Sequence, residues 1–289
     1  MLRMPTNRRR SGLFKGRSTQ AIWALLAVAA LLLVGGLVWD QTRTPNIEAR
    51  EYIAPPARDM SRHQTVAAFV GDSWTGGSDM GGNGDANWTK LLADKFGWDQ
   101  RPFGTGGTGW VDDGGRDDRF GSTSRTTKVA QLEPDVLVIS NGINDVDDVP
   151  AEYMQKRVQE IVTNADNGLA EYRKWLPETP IVLMGFVTPG GATDLIKQIN
   201  AGLKDVAARG DAYFIDPTSA ENLWFAGPNQ RYIGTDRYHP TDEGHIYFAN
   251  VLEPIFTSLG ARNWPQIYFT WNANKPPVVN PLAHPNRAG

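Results

Sequence analysis

A chain of 289 residues is long enough for one full-sized globular domain with appendages, and two large domains would be a squeeze. Apolar content of 40% with 21% charge excludes a disordered chain, a collagen or a coiled coil, and the absence of cysteine excludes a disulfide scaffold, a thiolate zinc site and a cysteine nucleophile. The formal charge of −3 averages two unlike parts: residues 1 to 39 hold six cations and no acid, which leaves 23 basic against 32 acidic residues in the remainder, a balance that argues against a nucleic-acid partner.

In chain order, residues 1–20 form a basic segment, followed by 19 uncharged residues from Ala21 to Trp39. About 20 helical residues cross the roughly 30 Å hydrocarbon layer, so this run is expected to be a transmembrane signal-anchor helix. Trp23 and Trp39 fall near its ends, and the cations before it orient the N-terminus toward the cytoplasm, placing the bulk of the protein outside. Secretion after cleavage is the alternative, but the run is longer than a usual signal-peptide core and no small-x-small pattern follows it. Residues 40–64, with Pro45, Pro55 and Pro56, read as a tether.

The region 65–260 reads as one domain. Short β-branched runs at Thr65–Val70, Val136–Ser140, Ile181–Phe186 and Ala212–Ile215 predict buried strands, with a weaker one before Phe103. Between them the patterns predict helices over Trp88–Phe96, Ala151–Trp175, Thr193–Arg209 and Asp242–Leu259, the last kinked or interrupted by Pro254. Such alternation implies right-handed crossovers and a mostly parallel, doubly wound five-stranded sheet in a three-layer α/β arrangement. Residues 261–289 form a proline-rich tail whose aromatic stretch Trp264–Trp271 is a candidate to fold back on the domain.

In a doubly wound sheet, ligands bind at the carboxyl edge. Gly71-Asp72-Ser73 follows the first strand, the glycine cluster Gly104–Gly109 the second and Gly142-Ile143-Asn144-Asp145 the third, while Asp236 and His239 lie on the loop after the fifth. All of these polar motifs therefore fall on one edge. A serine needs a base within reach and donors aimed at the developing oxyanion. Asp236-Arg237-Tyr238-His239 places a carboxylate three residues before an imidazole, suited to holding Nδ1 while Nε2 faces the serine. The candidate donors are the amides of Ser73 and Gly109 and the side chain of Asn144.

Three bland readings stand beside these. A second Asp-x-x-His, Asp242-Glu243-Gly244-His245, competes for the base, but it opens the last helix with Thr241 as its cap. Gly104–Gly109 also satisfies the dinucleotide pattern G-x-G-x-x-G, yet the acidic loop after it lacks the helix start that would hold a pyrophosphate. Asp145, Asp147 and Asp148 suggest calcium less well than an acidic solvated loop. Among the tryptophans, Trp74 and Trp110 adjoin proposed site residues and are the candidates for substrate-pocket walls, with core packing the expectation for the others.

Together the four blocks resemble the SGNH hydrolases, also called the GDSL esterase and lipase family: Gly71-Asp72-Ser73 resembles the nucleophile block, Gly109 the glycine block, Gly142–Asp145 the G-x-N-D block and Asp236–Pro240 the D-x-x-H block. The resemblance covers about residues 65 to 257 and implies a flavodoxin-like fold that uses no metal or cofactor. It implies a serine esterase in which Ser73 attacks an acyl ester, His239 is base and then acid, Asp236 orients it, and Ser73, Gly109 and Asn144 form the oxyanion hole. Trp74 departs from the leucine usual after the nucleophile, and Gly104 stands where many members have asparagine, which leaves the alignment of Gly106, Gly107 and Gly109 open. The expected partners are an acyl-ester substrate, lipid or acylated glycan, and the membrane. An acyltransferase acting on envelope glycan with the same triad, or a noncatalytic envelope-binding module, is the alternative.

Overall fold

The computed structural model describes residues 64–219 and 224–264. Expectations for the basic segment, the anchor at 21–39, nearly all of the tether and the tail beyond Trp264 lie outside these residues. Among the described residues no helix is long and apolar enough to cross a membrane.

Five strands, β1 (Val66–Gly71), β2 (Asp99–Gly104), β3 (Val136–Ser140), β4 (Ile181–Met184) and β5 (Tyr213–Ile215), form one parallel sheet in the order β2-β1-β3-β4-β5. The central strands are buried on both faces, so alternate side chains enter opposite cores. Ala68, Val70, Leu137, Ile139, Ile181 and Leu183 pack toward α3 (Thr123–Gln131), α4 (Met154–Trp175) and α5 (Asp194–Arg209). Ala67, Phe69, Val136, Val138, Val182 and Met184 pack toward α2 (Trp88–Phe96) and α6 (Asp242–Ser258). The three-layer expectation is met. Pro102 stands on β2, an edge strand, where a missing N–H is tolerated.

Side chains cap the helices as their sequence requires. Asn87 accepts from the Thr89 amide, Thr193 from Ile196 and Thr241 from Gly244, and Gly97 ends α2 in the left-handed region at φ 70°. β4 stops at Met184, two residues before the expected end, because Asn200 of α5 captures the chain: its Oδ1 accepts from the Phe186 amide at 2.7 Å.

Two features differ from expectation. The short α3 was not predicted, since Thr123, Thr126 and Thr127 have weak helix propensity and only Val129 among its apolar residues reaches the core. Pro254 does not interrupt α6, which runs through to Ser258. Phe248 and Leu252 before the proline and Phe256 after it are all fully buried, and at about 1.5–3 kcal/mol for each such side chain their burial offsets the lost backbone bond. Packing also continues past Gly260: Trp264 is buried, stacked on Trp98 and Tyr213 with centroid separations of 6.3 and 5.2 Å.

Candidate active site

The strand order reverses at β1, whose neighbours β2 and β3 follow it on opposite sides, and the loops leaving β1 and β3 open the crevice where such sheets bind ligands. β1 turns sharply into a one-turn helix, α1 (Ser73–Gly76). Gly71 makes this turn sterically feasible, because a Cβ there would stand 2.1 Å from Thr75 Oγ1. Asp72 caps the turn through Oδ1, which accepts from the Trp74 amide at 2.9 Å, and its Oδ2 accepts from the Gly142 amide at 3.3 Å. This fully buried carboxyl thereby ties the Ser73 turn to the loop after β3. Burial outweighs the two amides and pushes its pKa up to about 7. Ser73 occupies the first helical position, where a backbone N–H has no intrahelical acceptor.

Across the crevice, the loop before α6 closes on itself: Ile233 bridges Pro240, and the Gly234 amide donates to the His239 carbonyl at 2.7 Å. Arg237 lies in the left-handed region at φ 63°, which folds the chain so that Asp236 Oδ1 accepts from the amides of Tyr238 and His239 at 2.9 and 3.0 Å. The remaining oxygen, Oδ2, is 2.6 Å from His239 Nδ1, and His239 Nε2 is 2.7 Å from Ser73 Oγ. Partial burial raises the Asp236 pKa, but the bonds from the His239 ring and the two amides prevail, and the carboxyl stays below its usual range. An ionised Asp236 accepts, so Nδ1 carries the imidazole proton and Nε2 offers its lone pair to the serine hydroxyl. The three side chains that sequence placed on two separate motifs thus stand in one hydrogen-bonded row.

Asn144 lies on the 3₁₀ turn Ile143–Val146 after β3, and its side-chain amide donates one hydrogen to the Thr108 carbonyl at 2.9 Å, leaving the second to donate elsewhere. Asp145 beside it is not part of a solvated loop. It is fully buried and accepts from the amides of Trp110, Val111 and Asp112 at 2.8, 3.0 and 2.8 Å, and burial pushes its pKa up to about 6. Gly109 does not serve as the expected donor, since its amide is spent on the Asp112 carbonyl at 2.8 Å. Its missing side chain admits Asp145 instead: a Cβ there would stand 2.1 Å from Oδ1. The glycine that lies against Ser73 is Gly106, whose Cβ would come 3.7 Å from that of the serine.

Neither tryptophan expected in the pocket walls faces the site. Trp74 is 1% exposed and packs edge-on against Phe225 and Phe248. Trp110 is equally buried, edge-on to Phe120, and touches a separate cavity of about 380 Å³ that none of the three aligned residues lines. Both are large apolar bodies that the core gains more by enclosing. His245, the rival base, is buried and accepts from the Trp88 amide through Nδ1 at 3.2 Å. Burial, reinforced by His239 and opposed by Asp242, pushes its pKa down to about 4.

Sequence reasoning missed two participants. Arg125 on α3 is buried and donates to both carboxylate oxygens of Asp118 at 3.1 and 2.6 Å and to the Gly71 carbonyl at 3.2 Å, while Asp118 accepts from Thr105 Oγ1 at 2.7 Å. This cluster braces the glycine loop behind the Ser73 turn. Tyr238 lies edge-on to His239 with centroids 5.1 Å apart and donates its phenol to Asp147 Oδ2, joining the histidine loop to the loop after β3. Among the described residues no three His, Asp or Glu side chains are grouped to hold a metal ion.

The sequence profile of the GDSL-like Lipase/Acylhydrolase family matches residues 69–246. A GDSL lipase of Mycobacterium tuberculosis is 27% identical over 202 residues, which cover 66% of this chain and 80% of that protein. Among solved structures, a family two carbohydrate esterase from Clostridium thermocellum superposes with a TM-score of 0.53 at 18% identity, covering 72% of this chain and 67% of the other. The acetyl xylan esterase Est2A from the rumen bacterium Butyrivibrio proteoclasticus superposes with a TM-score of 0.52 at 16% identity, covering 69% and 65%. At such identities these two structures establish a shared fold.

Proposed function

From the premise that the chain belongs to the GDSL-like lipase/acylhydrolase family, and is therefore a serine ester hydrolase, we propose that Ser73, His239 and Asp236 are its catalytic triad and that it cleaves O-acyl esters outside the cell from a membrane anchor. The observation that carries the triad is the continuous row from Ser73 Oγ through the imidazole to Asp236, with links of 2.7 and 2.6 Å.

In this reading Ser73 Oγ attacks the ester carbonyl carbon while its proton passes to His239 Nε2. The carbonyl oxygen becomes an oxyanion facing the Ser73 amide, the free amide hydrogen of Asn144 and the backbone at Gly106, which takes the place expected of Gly109. The intermediate collapses as Nε2 returns the proton to the leaving alcohol oxygen, leaving the acyl group on Ser73. Water, deprotonated by the same nitrogen, then attacks the acyl carbon, and the carboxylic acid departs with the serine proton restored. Asp236 holds Nδ1 throughout and stabilises the imidazolium. Side-chain exposures of 22% for His239 and 31% for Asp236 favour hydrolysis over transfer to another hydroxyl, because water reaches the acyl-enzyme. A purely binding module has no need of a serine, base and orienter in line.

The uncharged run 21–39 supports the anchor, and the six cations before it support an outside location. Release of the chain from membranes by alkali or high salt would overturn this part of the proposal. For the chemistry, the full chain in detergent is assayed with p-nitrophenyl acetate: Ser73→Ala is expected to lower kcat by about 10⁴-fold or more, and undiminished turnover would overturn the triad.

A further inference from the structure

Beyond the triad, a cleft of about 310 Å³ opens beside the site, within the size range of small-ligand pockets. Asp147, Asp148, Pro150, Tyr153, Lys156 and Glu160 line it. It adjoins the reaction centre through two covalent and hydrogen-bonded routes. Asp147 follows directly on the turn that bears Asn144, and the same Asp147 carboxylate accepts the phenol of Tyr238, whose ring abuts His239. Arg157 fixes the floor, donating to the Asp145 carbonyl at 3.3 Å and pairing with Asp112 at 3.5 Å.

The side of the site matters. His239 Nε2 must protonate the leaving oxygen, so the alcohol half of an ester lies on the histidine side, and the cleft borders that side through Tyr238. Its chemistry is equally directional. Tyr153 is 59% exposed, the most exposed of the large apolar side chains among the described residues, and presents an unstacked ring at the cleft. Around it stand Val149, Pro150 and the two carboxylates of the loop, the Lys156–Glu160 pair and Arg157, so that apolar wall alternates with three carboxylates and two cations. Flat aromatic surface flanked by fixed donors and acceptors suits a hydroxylated ring, which offers C–H groups on its face and hydroxyls at its edge. It does not suit an acyl chain, which needs continuous apolar lining.

The geometry points to this cleft as the subsite for a sugar ring on the alcohol side of the ester, so that the enzyme deacylates a glycan, with Tyr153 as the ring's stacking platform. The inference rests on the hydrolase reading and deepens it. It is tested with the full chain in detergent on two substrates, ethyl acetate, whose leaving alcohol carries no ring to stack on Tyr153, and an O-acetylated xylo-oligosaccharide. Tyr153→Ala is expected to lower kcat/KM for the oligosaccharide about tenfold while leaving ethyl acetate unchanged, and Tyr153→Trp is expected to restore it. Equal effects on both substrates, no effect on either, or oligosaccharide turnover absent from the wild type would overturn the subsite. So would a Tyr153→Ala change that alters instead the preference among p-nitrophenyl esters of increasing chain length, which would assign the cleft to the acyl side. Loss of p-nitrophenyl acetate turnover in the wild type itself is the separate failure that would strike the hydrolase reading.

Discussion

Asp236–His239 and Asp242–His245 have the same spacing and lie six residues apart, yet they do opposite work. In the first, the left-handed Arg237 bends the carboxylate back onto the imidazole and leaves Nε2 facing Ser73. In the second, the chain is already helical, and the pair is divided between two other partners: Asp242 Oδ1 accepts from the Gly82 amide at 2.8 Å, and His245 accepts from Trp88. A Cβ on Gly82 would stand 2.0 Å from His245 Nε2, so this imidazole is walled in by the loop it supports. A motif's spacing states only that two groups are near in sequence; the backbone between them and the partners already present decide whether they meet.

The sharpest way to break this contrast is to delete each imidazole in turn. His239→Ala is expected to lower kcat on p-nitrophenyl acetate by about 10⁴-fold or more, with His245→Gln leaving kcat within a few-fold. Comparable losses in both would erase the distinction. Next in size, Asp236→Asn should cost about 10⁴-fold in kcat, by allowing the wrong tautomer, while Asp242→Asn acts on stability alone. Asn144→Ala, which removes one proposed oxyanion donor, is expected to lower kcat by about 10²–10³-fold with little change in KM.

The smaller effects concern stability and its dependence on pH. Between pH 6.5 and about 4 the unfolded chain binds a proton at residue 245 that the buried, folded imidazole refuses, so this group's contribution is present above pH 6.5 and lost as pH falls toward 4. Asp72 runs the other way: with its pKa up at about 7, its folded carboxyl holds a proton that the unfolded chain gives up, and its contribution is lost as pH rises from about 4 to 7. Thermal melts of wild type and His245→Gln should therefore differ most near pH 7 and converge toward pH 4.5, the wild type losing about 2–3 kcal/mol more over that interval. A gap that widens in acid would contradict the buried neutral imidazole. Gly109→Ala completes the series, with an expected cost of about 1–3 kcal/mol from forcing a methyl against Asp145, measured by chemical denaturation.

What sequence made legible follows the same logic. The strands and long helices announce themselves because whole runs such as Val136–Ser140 are buried and because caps such as Thr241 and Gly97 punctuate the chain. Ser73, His239 and Asp236 were legible as a set because the proposed chemistry needs a particular functional group after a particular strand. Three things were not. The choice between Gly106 and Gly109 depends on where one amide points, and both are glycine. Arg125 sits on a polar, threonine-rich helix and looks like an exposed charge until Asp118 and the Gly71 carbonyl are seen around it. Trp74 and Trp110 neighbour the site in sequence, but adjacent residues on a strand or turn point to different sides, and both rings went to the interior.

The stacked Trp264 sets a practical limit on how the domain is to be isolated. β5 is three residues long and forms one open margin of the sheet, and the indole lies flat on its Tyr213 while its Nε1 donates to the Leu259 carbonyl at 3.0 Å. A fragment that stops at the glycine ending the last long helix would strip this lid, leaving Trp98 and the strand margin bare to water and inviting one molecule to pair with the next.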